Sequence, residues 1–204
     1  MAVAGASVSA ALQSGEHYRD TVFRRVRQRQ DVEATTFVGC TFDDSHLREL
    51  AFRDCRFLAC AFVACDLSLV DVGGSVFRDV SFDACNLTAV NWSRARATLH
   101  DPLEVDFRDC ILDFAVFRGC ALEGHRIDHC VAHECDLREA VLRDAVCRGT
   151  DFAGSNFEGA DLGGADFRKA RNYAIDVRTT RVAGARFTLP DAVALLDGLE
   201  VTLD

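Results

Sequence analysis

The chain of 204 residues has no apolar run long enough to cross a bilayer, which takes about 20 consecutive residues. Its first sixteen residues are small and weakly apolar and lack the basic start of a secretory signal. A flexible tail over 1–16 and a cytoplasmic protein are therefore expected. Positive charge is short as well, with 23 Lys and Arg against 32 Asp and Glu and a net charge of −9. A chain without a basic footprint is a poor direct ligand for nucleic acid, because it cannot neutralise phosphates. A partner that itself carries a basic groove suits it better. No Ser/His/Asp or Cys/His spacing supports a nucleophile, and no glycine-rich loop stands between a strand and a helix. The expectation is a protein that is not an enzyme and needs no cofactor.

What the chain has in abundance is repetition. From Phe37 a large apolar residue returns every fifth position through Phe42, Leu47, Phe52, Phe57, Phe62, Leu67, Val72, Phe77, Phe82, Leu87 and Trp92. The series resumes at Phe107, Leu112, Phe117, Leu122 and Ile127, and closes with Val177, Val182 and Phe187. Of the 15 Phe, 13 share this register, and only Phe23 and Phe114 stand outside it. A period of five is neither the helical 3.6 nor the strand 2.0. Sustained self-similarity of this kind marks a solenoid.

A second series of small residues lies two positions earlier, for example Cys40, Ser45, Cys55, Cys60, Cys65, Ser75, Cys85, Cys110, Ala160 and Ala165. Residues two apart on an extended segment point the same way, so each quintet turns one small and one large side chain inward and three outward. Nine of the ten Cys occupy the small inward position and Cys147 takes a large one. That is how a small hydrophobe behaves. In a reducing cytosol the thiols are expected to be free.

The pattern departs from regularity in three places. Over 17–34 the repeat is weak, Arg27 falls where a large apolar residue belongs, and Arg24, Arg25, Arg27 and Arg29 cluster. An irregular first coil that caps the solenoid is predicted there. Over 96–104 Ala97 and Pro102 fall at large inward positions and His100 at a small one. Pro cannot donate to a strand ladder, so a distorted coil or bulging loop is predicted, either as tolerated irregularity or as a recognition loop. After Phe187, Thr188-Leu-Pro-Asp191 resembles a capping box. A short helix with Leu195 and Leu196 should follow, stopped by Gly198, and then a strand-like Leu199-Glu-Val201-Thr-Leu203. The best metal candidate, His125, His129, Cys130, His133 and Cys135, has no recognised zinc spacing, and its members point both in and out of the coil. No metal site is expected.

The quintets Cys40-Thr-Phe42-Asp-Asp, Cys65-Asp-Leu67-Ser-Leu, Ala160-Asp-Leu162-Gly-Gly and Ala165-Asp-Phe167-Arg-Lys resemble those of the pentapeptide-repeat family. That resemblance implies an all-β fold, a right-handed quadrilateral β-helix with one quintet per side, over 17–187. A short C-terminal capping helix would lie within the segment 188–204. Asn91-Trp92-Ser93 and the ending Asn172-Tyr-Ala-Ile-Asp176 to Phe187-Thr-Leu-Pro-Asp191-Ala-Val-Ala-Leu-Leu196 are similar to the topoisomerase-protecting group of the family. This group includes the Qnr type, the MfpA type and the albicidin-resistance protein, whose ending is the most similar. The resemblance implies a homodimer joined through the C-terminal segment by Leu195, Leu196, Leu199, Val201 and Leu203. It also implies mimicry of B-form DNA, binding to DNA gyrase or a related type II topoisomerase, and protection of that enzyme from poisons. The alternative is a scaffold or interaction rod with another partner.

With four quintets per coil throughout, one face would display Asp43, Asp44, Asp83, Asp101, Glu104, Glu123, Asp144 and Asp161 against Arg143 and Arg181 only, a net −6. At about 4.8 Å per stacked strand the stripe would run about 40 Å and is the expected partner-binding face.

Overall fold

The computed structural model describes residues 7–8, 11–98, 102–199 and 201. Each quintet forms a short extended segment that pairs in parallel with the segment one coil away, and every strand pair is parallel. Between segments the chain turns a corner at the residue two after each large inward side chain. That residue takes a left-handed φ, as at Asp44 (49°), Leu69 (61°) and Gly74 (69°). The product is the right-handed quadrilateral β-helix that the quintets imply.

Four columns of large side chains fill the interior. Side one carries Tyr18, Phe37, Phe57 and Phe77, then Leu122, Leu142, Leu162 and Val182. Side two carries Phe23, Phe42, Phe62, Phe82, Phe107, Ile127, Cys147, Phe167 and Phe187. Side three carries Leu47, Leu67, Leu87, Leu112, Ala132 and Phe152, and side four Val32, Phe52, Val72, Trp92, Phe117, Leu137 and Phe157. Rings stack along a column, with Phe42 and Phe62 4.5 Å apart at 4° and Phe37 and Phe57 4.9 Å apart at 8°. They meet edge-on between columns, as Trp92 meets Phe77, Phe82 and Phe107.

The small inward position has a hydrogen-bonding duty that explains its Cys, Ser and Thr. The Cys55 N–H donates to Ser75 Oγ at 2.8 Å, and that hydroxyl donates to the Phe52 carbonyl at 2.7 Å. Thr150 serves Cys130 and Ile127 in the same way, and Ser155 serves Cys135 and Ala132. Backbone groups that point into an apolar core are thereby satisfied. Thiols take the role in the middle coils, where Cys65 N–H donates to Cys85 Sγ at 3.4 Å. All ten thiols are free and buried, and burial pushes Cys120 and Cys135 up to about 12.

The structure corrects the sequence reading in several places. The break at 96–104 keeps the period of five but not the coil of four quintets. Phe82 pairs with Phe107, so this coil holds one quintet more than the coil before it, in which Phe62 pairs with Phe82. The chain leaves the coil after Arg96, whose N–H donates to the Ser75 carbonyl, and rejoins at Glu104, whose N–H donates to the Phe77 carbonyl. Phe117, Leu137 and Phe157, which uninterrupted spacing places above Phe77, therefore stand above Trp92 on side four. In the last coil Tyr173 and Ile175 turn inward, and Val177 is only half-buried.

At the other end Phe23 and Gln28 take the large inward positions and Val26 the small one, with Arg27 exposed, because Phe23 pairs with Phe42 across a coil one residue short. Residues 11–16 are bound to the solenoid rather than a tail. Leu12 is buried, its N–H donates to Gln28 Oε1 at 2.9 Å, and Ser7–Val8 pairs with Val22–Phe23. The C-terminal helix is a 3₁₀ helix over Asp191–Leu199 that runs through Gly198 and ends where the strand was expected to begin. Leu203 lies outside the described residues. A second 3₁₀ turn at Trp92–Arg94 is capped by the Asn91 side chain, which accepts from Ser93 N–H at 3.1 Å.

Candidate interaction surface

The displaced register takes the predicted acidic face apart. Asp43, Asp44 and Asp83 lie on side two, whereas Glu104, Glu123, Asp144 and Asp161 belong with side one, and Asp101 lies outside the described residues. Most of them are paired. Arg24 reaches Asp43 at 3.0 Å, Arg25 reaches Asp44 at 3.1 Å, and Arg143 reaches Glu123 at 3.0 Å. Arg181 lies 3.6 Å from Asp161, Arg78 lies 4.0 Å from Glu104, and Asp83 adjoins Arg108 in the ladder. The Asp144 carboxylate lies over Gly164 of the next coil, in the space a Cβ there would take. Exposed pairs of this sort contribute little to stability, about 0–1 kcal/mol each, but they make sides one and two zwitterionic.

Charge segregates by edge rather than by face. Where side three turns into side four, the flanking rows and corner hold Asp31, Glu49, Asp71, Asp113, Glu134 and Asp136 against Arg29 and Arg48. Arg138 holds the Asp136 carboxyl below the usual range through hydrogen bonds of 2.8 and 2.7 Å. The same corner column carries Leu69 and Phe114, which are 47% and 58% exposed. No feature of the five-residue period announces this edge. It is seen only when the coil lengths are known.

A second electrostatic centre lies on side two near the C-terminal end. Asp166, 2% exposed at its side chain, accepts from Arg168 at 2.7 Å and Arg148 at 2.6 Å, with Arg186 at 3.4 Å. Arg168 above all, and Arg148 after it, outweigh the desolvation of burial and hold this carboxyl far below the usual range. One carboxylate thereby ties three successive coils together.

The 96–104 excursion opens a cleft of about 570 Å³ lined by Trp92, Ser93, Ala95, Leu103, Arg118, Cys120 and neighbours. His125 and Asp106 form a 3.2 Å contact, and the Cys130 and Cys135 thiols are buried. The His/Cys stretch thus does not converge, and among the described residues no group of three or more His, Cys, Asp or Glu could hold a metal ion. At the C-terminal end Leu195 packs against the core and Leu196 is half-buried, while Leu189, Val193, Leu199 and Val201 remain exposed. No helix among the described residues is long and apolar enough to cross a membrane.

A closed parallel solenoid with one quintet per side defines a protein built from short sequence repeats. Models of the pentapeptide repeats match residues 133–171, and of the pentapeptide repeat region residues 35–101. The chain belongs to the pentapeptide-repeat family. Among solved structures it is similar to two trypsin-treated variants of QnrB1, a plasmid-mediated fluoroquinolone resistance protein. One gives a TM-score of 0.67 at 18% identity, covering 98% of this chain and 100% of the other. The second gives 0.66 at 17% identity, covering 97% and 100%. None of the curated proteins matches the sequence at a significant level.

Proposed function

We propose that the chain is a non-enzymatic ligand of DNA gyrase or a related type II topoisomerase. It occupies the groove that grips DNA and so protects the enzyme from poisons. The observation that carries this reading is a solenoid of net charge −9 whose fold matches the whole of a trypsin-treated fluoroquinolone resistance protein. A basic groove cannot move its arginines away when DNA is absent, so an acidic rod of suitable width can fill it. Glu104, Glu123, Asp144 and Asp161 on side one, and Asp43, Asp44 and Asp83 on side two, are candidate contacts together with the acids of the edge between sides three and four. The test is competition with linear DNA for gyrase at two salt concentrations, with supercoiling and poison-induced cleavage read in parallel. Displacement that weakens as salt rises is expected. A protein that neither displaces DNA nor alters either activity is instead a scaffold for another partner. The interleaved ion pairs on sides one and two favour that second reading.

The rod is proposed to be a homodimer joined at its C-terminal ends, where Leu189, Val193, Leu199 and Val201 are exposed next to the capping helix. An isologous contact is the commonest way to bury such a patch. The double substitution Val193→Glu and Leu199→Glu should give monomers by light scattering. A wild-type chain that is monomeric at micromolar concentration overturns the dimer.

A further inference from the structure

We propose that the edge between sides three and four docks a protein that presents an apolar pocket framed by lysine or arginine. The corner column there reads Glu49, Leu69, Ala89, Phe114 and Glu134, and each N–H donates to a carbonyl of the next coil. All five take left-handed φ, from 54° to 61°. That conformation is strained for a residue with a Cβ, and most unusual for a bulky one. The repeat supplies its own control. The other left-handed corners are filled by Gly, Ala and polar or charged residues, and Leu69 and Phe114 are the two large apolar side chains among the described ones. The core gains little from either, since both project into solvent. The fold would be better served by Gly or Asp at these places, so the Phe114 ring serves something outside the fold.

The geometry suits an anchor. Ala89 lies one rung from each, so Leu69 and Phe114 stand about 10 Å apart with a notch between them. Half-buried Val116 continues the strip onto side four. An exposed aromatic residue beside a notch can seat in a partner's pocket as a binding hot spot.

The rim decides what kind of partner fits. Glu49 and Glu134 close the two ends of the strip, and Asp31, Asp71, Asp113 and Asp136 flank it. Arg29 and Arg48 are the cations among the described residues of these rows, so the rim stays net acidic even with Arg48 on Glu49, Arg94 on Asp71 and Arg138 on Asp136. Phosphate-bearing surfaces, whether nucleic acid or anionic membrane, are repelled by such a rim. A second copy laid along the same edge sets acid against acid. A protein pocket with cationic walls is complementary in both charge and polarity.

This inference rests on the gyrase reading, so gyrase is the probe. The full-length chain is titrated with purified gyrase holoenzyme by fluorescence anisotropy, and thermal melting is recorded for each variant. Phe114→Gly relieves the left-handed strain, so it should melt no lower than wild type while binding about 10- to 30-fold more weakly. Ile111→Ala, an exposed apolar position on side three outside the rows of this edge, should bind as wild type does. Phe114→Gly binding within about twofold of wild type overturns this proposal and leaves the gyrase reading standing. An effect of Phe114→Gly on self-association by light scattering, without an effect on gyrase, also overturns it. Failure of the wild-type chain to bind gyrase overturns both.

Discussion

Replacement of Phe62 by alanine should cost about 3–5 kcal/mol of folding stability, the range for removing a fully buried ring whose surroundings cannot collapse. Phe62 is 1% exposed and sits in the middle of its column, stacked on Phe42 at 4.5 Å and on Phe82 at 4.9 Å, with Phe57 at 5.7 Å across the core. In a globular core, neighbouring helices can shift into a void. In a solenoid, the rungs above and below are fixed by parallel backbone pairing of Ala61–Val63 with Thr41–Asp43 and Ser81–Asp83. The cavity should therefore persist. Because each coil contacts only its neighbours, a weakened coil also cuts the rod in two, and unfolding should lose cooperativity as well as midpoint. Urea denaturation followed by far-ultraviolet dichroism is the measurement, with Val63→Ala as the exposed control. A loss below about 1 kcal/mol for Phe62→Ala would contradict the stacked core.

How much of this could be read from the sequence depends on the length scale. The inward pair of each quintet is a local fact, fixed by alternation along an extended segment, and Cys40, Phe42, Cys60 and Phe62 stand where the period puts them. The face a quintet occupies is a cumulative fact. It depends on every coil length before it, so one extra quintet between Phe82 and Phe107 rotates everything beyond it by a side. That is why Asp83 and Glu123 share a column in the spacing but not in the molecule. The period hides the insertion because the insertion is itself one quintet long, and Pro102 is the only nearby residue whose backbone chemistry resists the ladder. Phe114 shows the reverse. Its being out of register was legible, but its significance was not, because only the left-handed corner makes a phenylalanine costly there. Leu12 and Gln28 show a third limit. Their pairing is a hydrogen bond between segments sixteen residues apart, with no periodic signature.

Asp166→Ala should be the most damaging surface-side substitution, at about 2 kcal/mol. Removing one member of a buried ion pair costs about 3–5 kcal/mol because the partner is left uncompensated, and the solvent exposure of the three guanidinium groups reduces that figure. The side chain itself is buried, and its oxygens also accept the Arg168 N–H at 3.2 Å and the Arg168 Nε at 2.8 Å. Loss of the carboxylate leaves Arg148, Arg168 and Arg186 in mutual repulsion across three coils. Asp166→Asn keeps the shape and part of the hydrogen bonding but not the charge, so it should fall between alanine and wild type. The pH dependence follows from the sign of the shift. The folded carboxyl titrates far below its unfolded value of about 3.9, so the stabilisation is fully present above that value. It is lost as pH falls through the range beneath it. Denaturant midpoints at pH 7 and pH 3 should therefore differ more for wild type than for Asp166→Asn, while added salt should narrow the gap between the two proteins at pH 7. Equal pH dependence in the two proteins would mean that the three arginines do not converge on this carboxylate in solution.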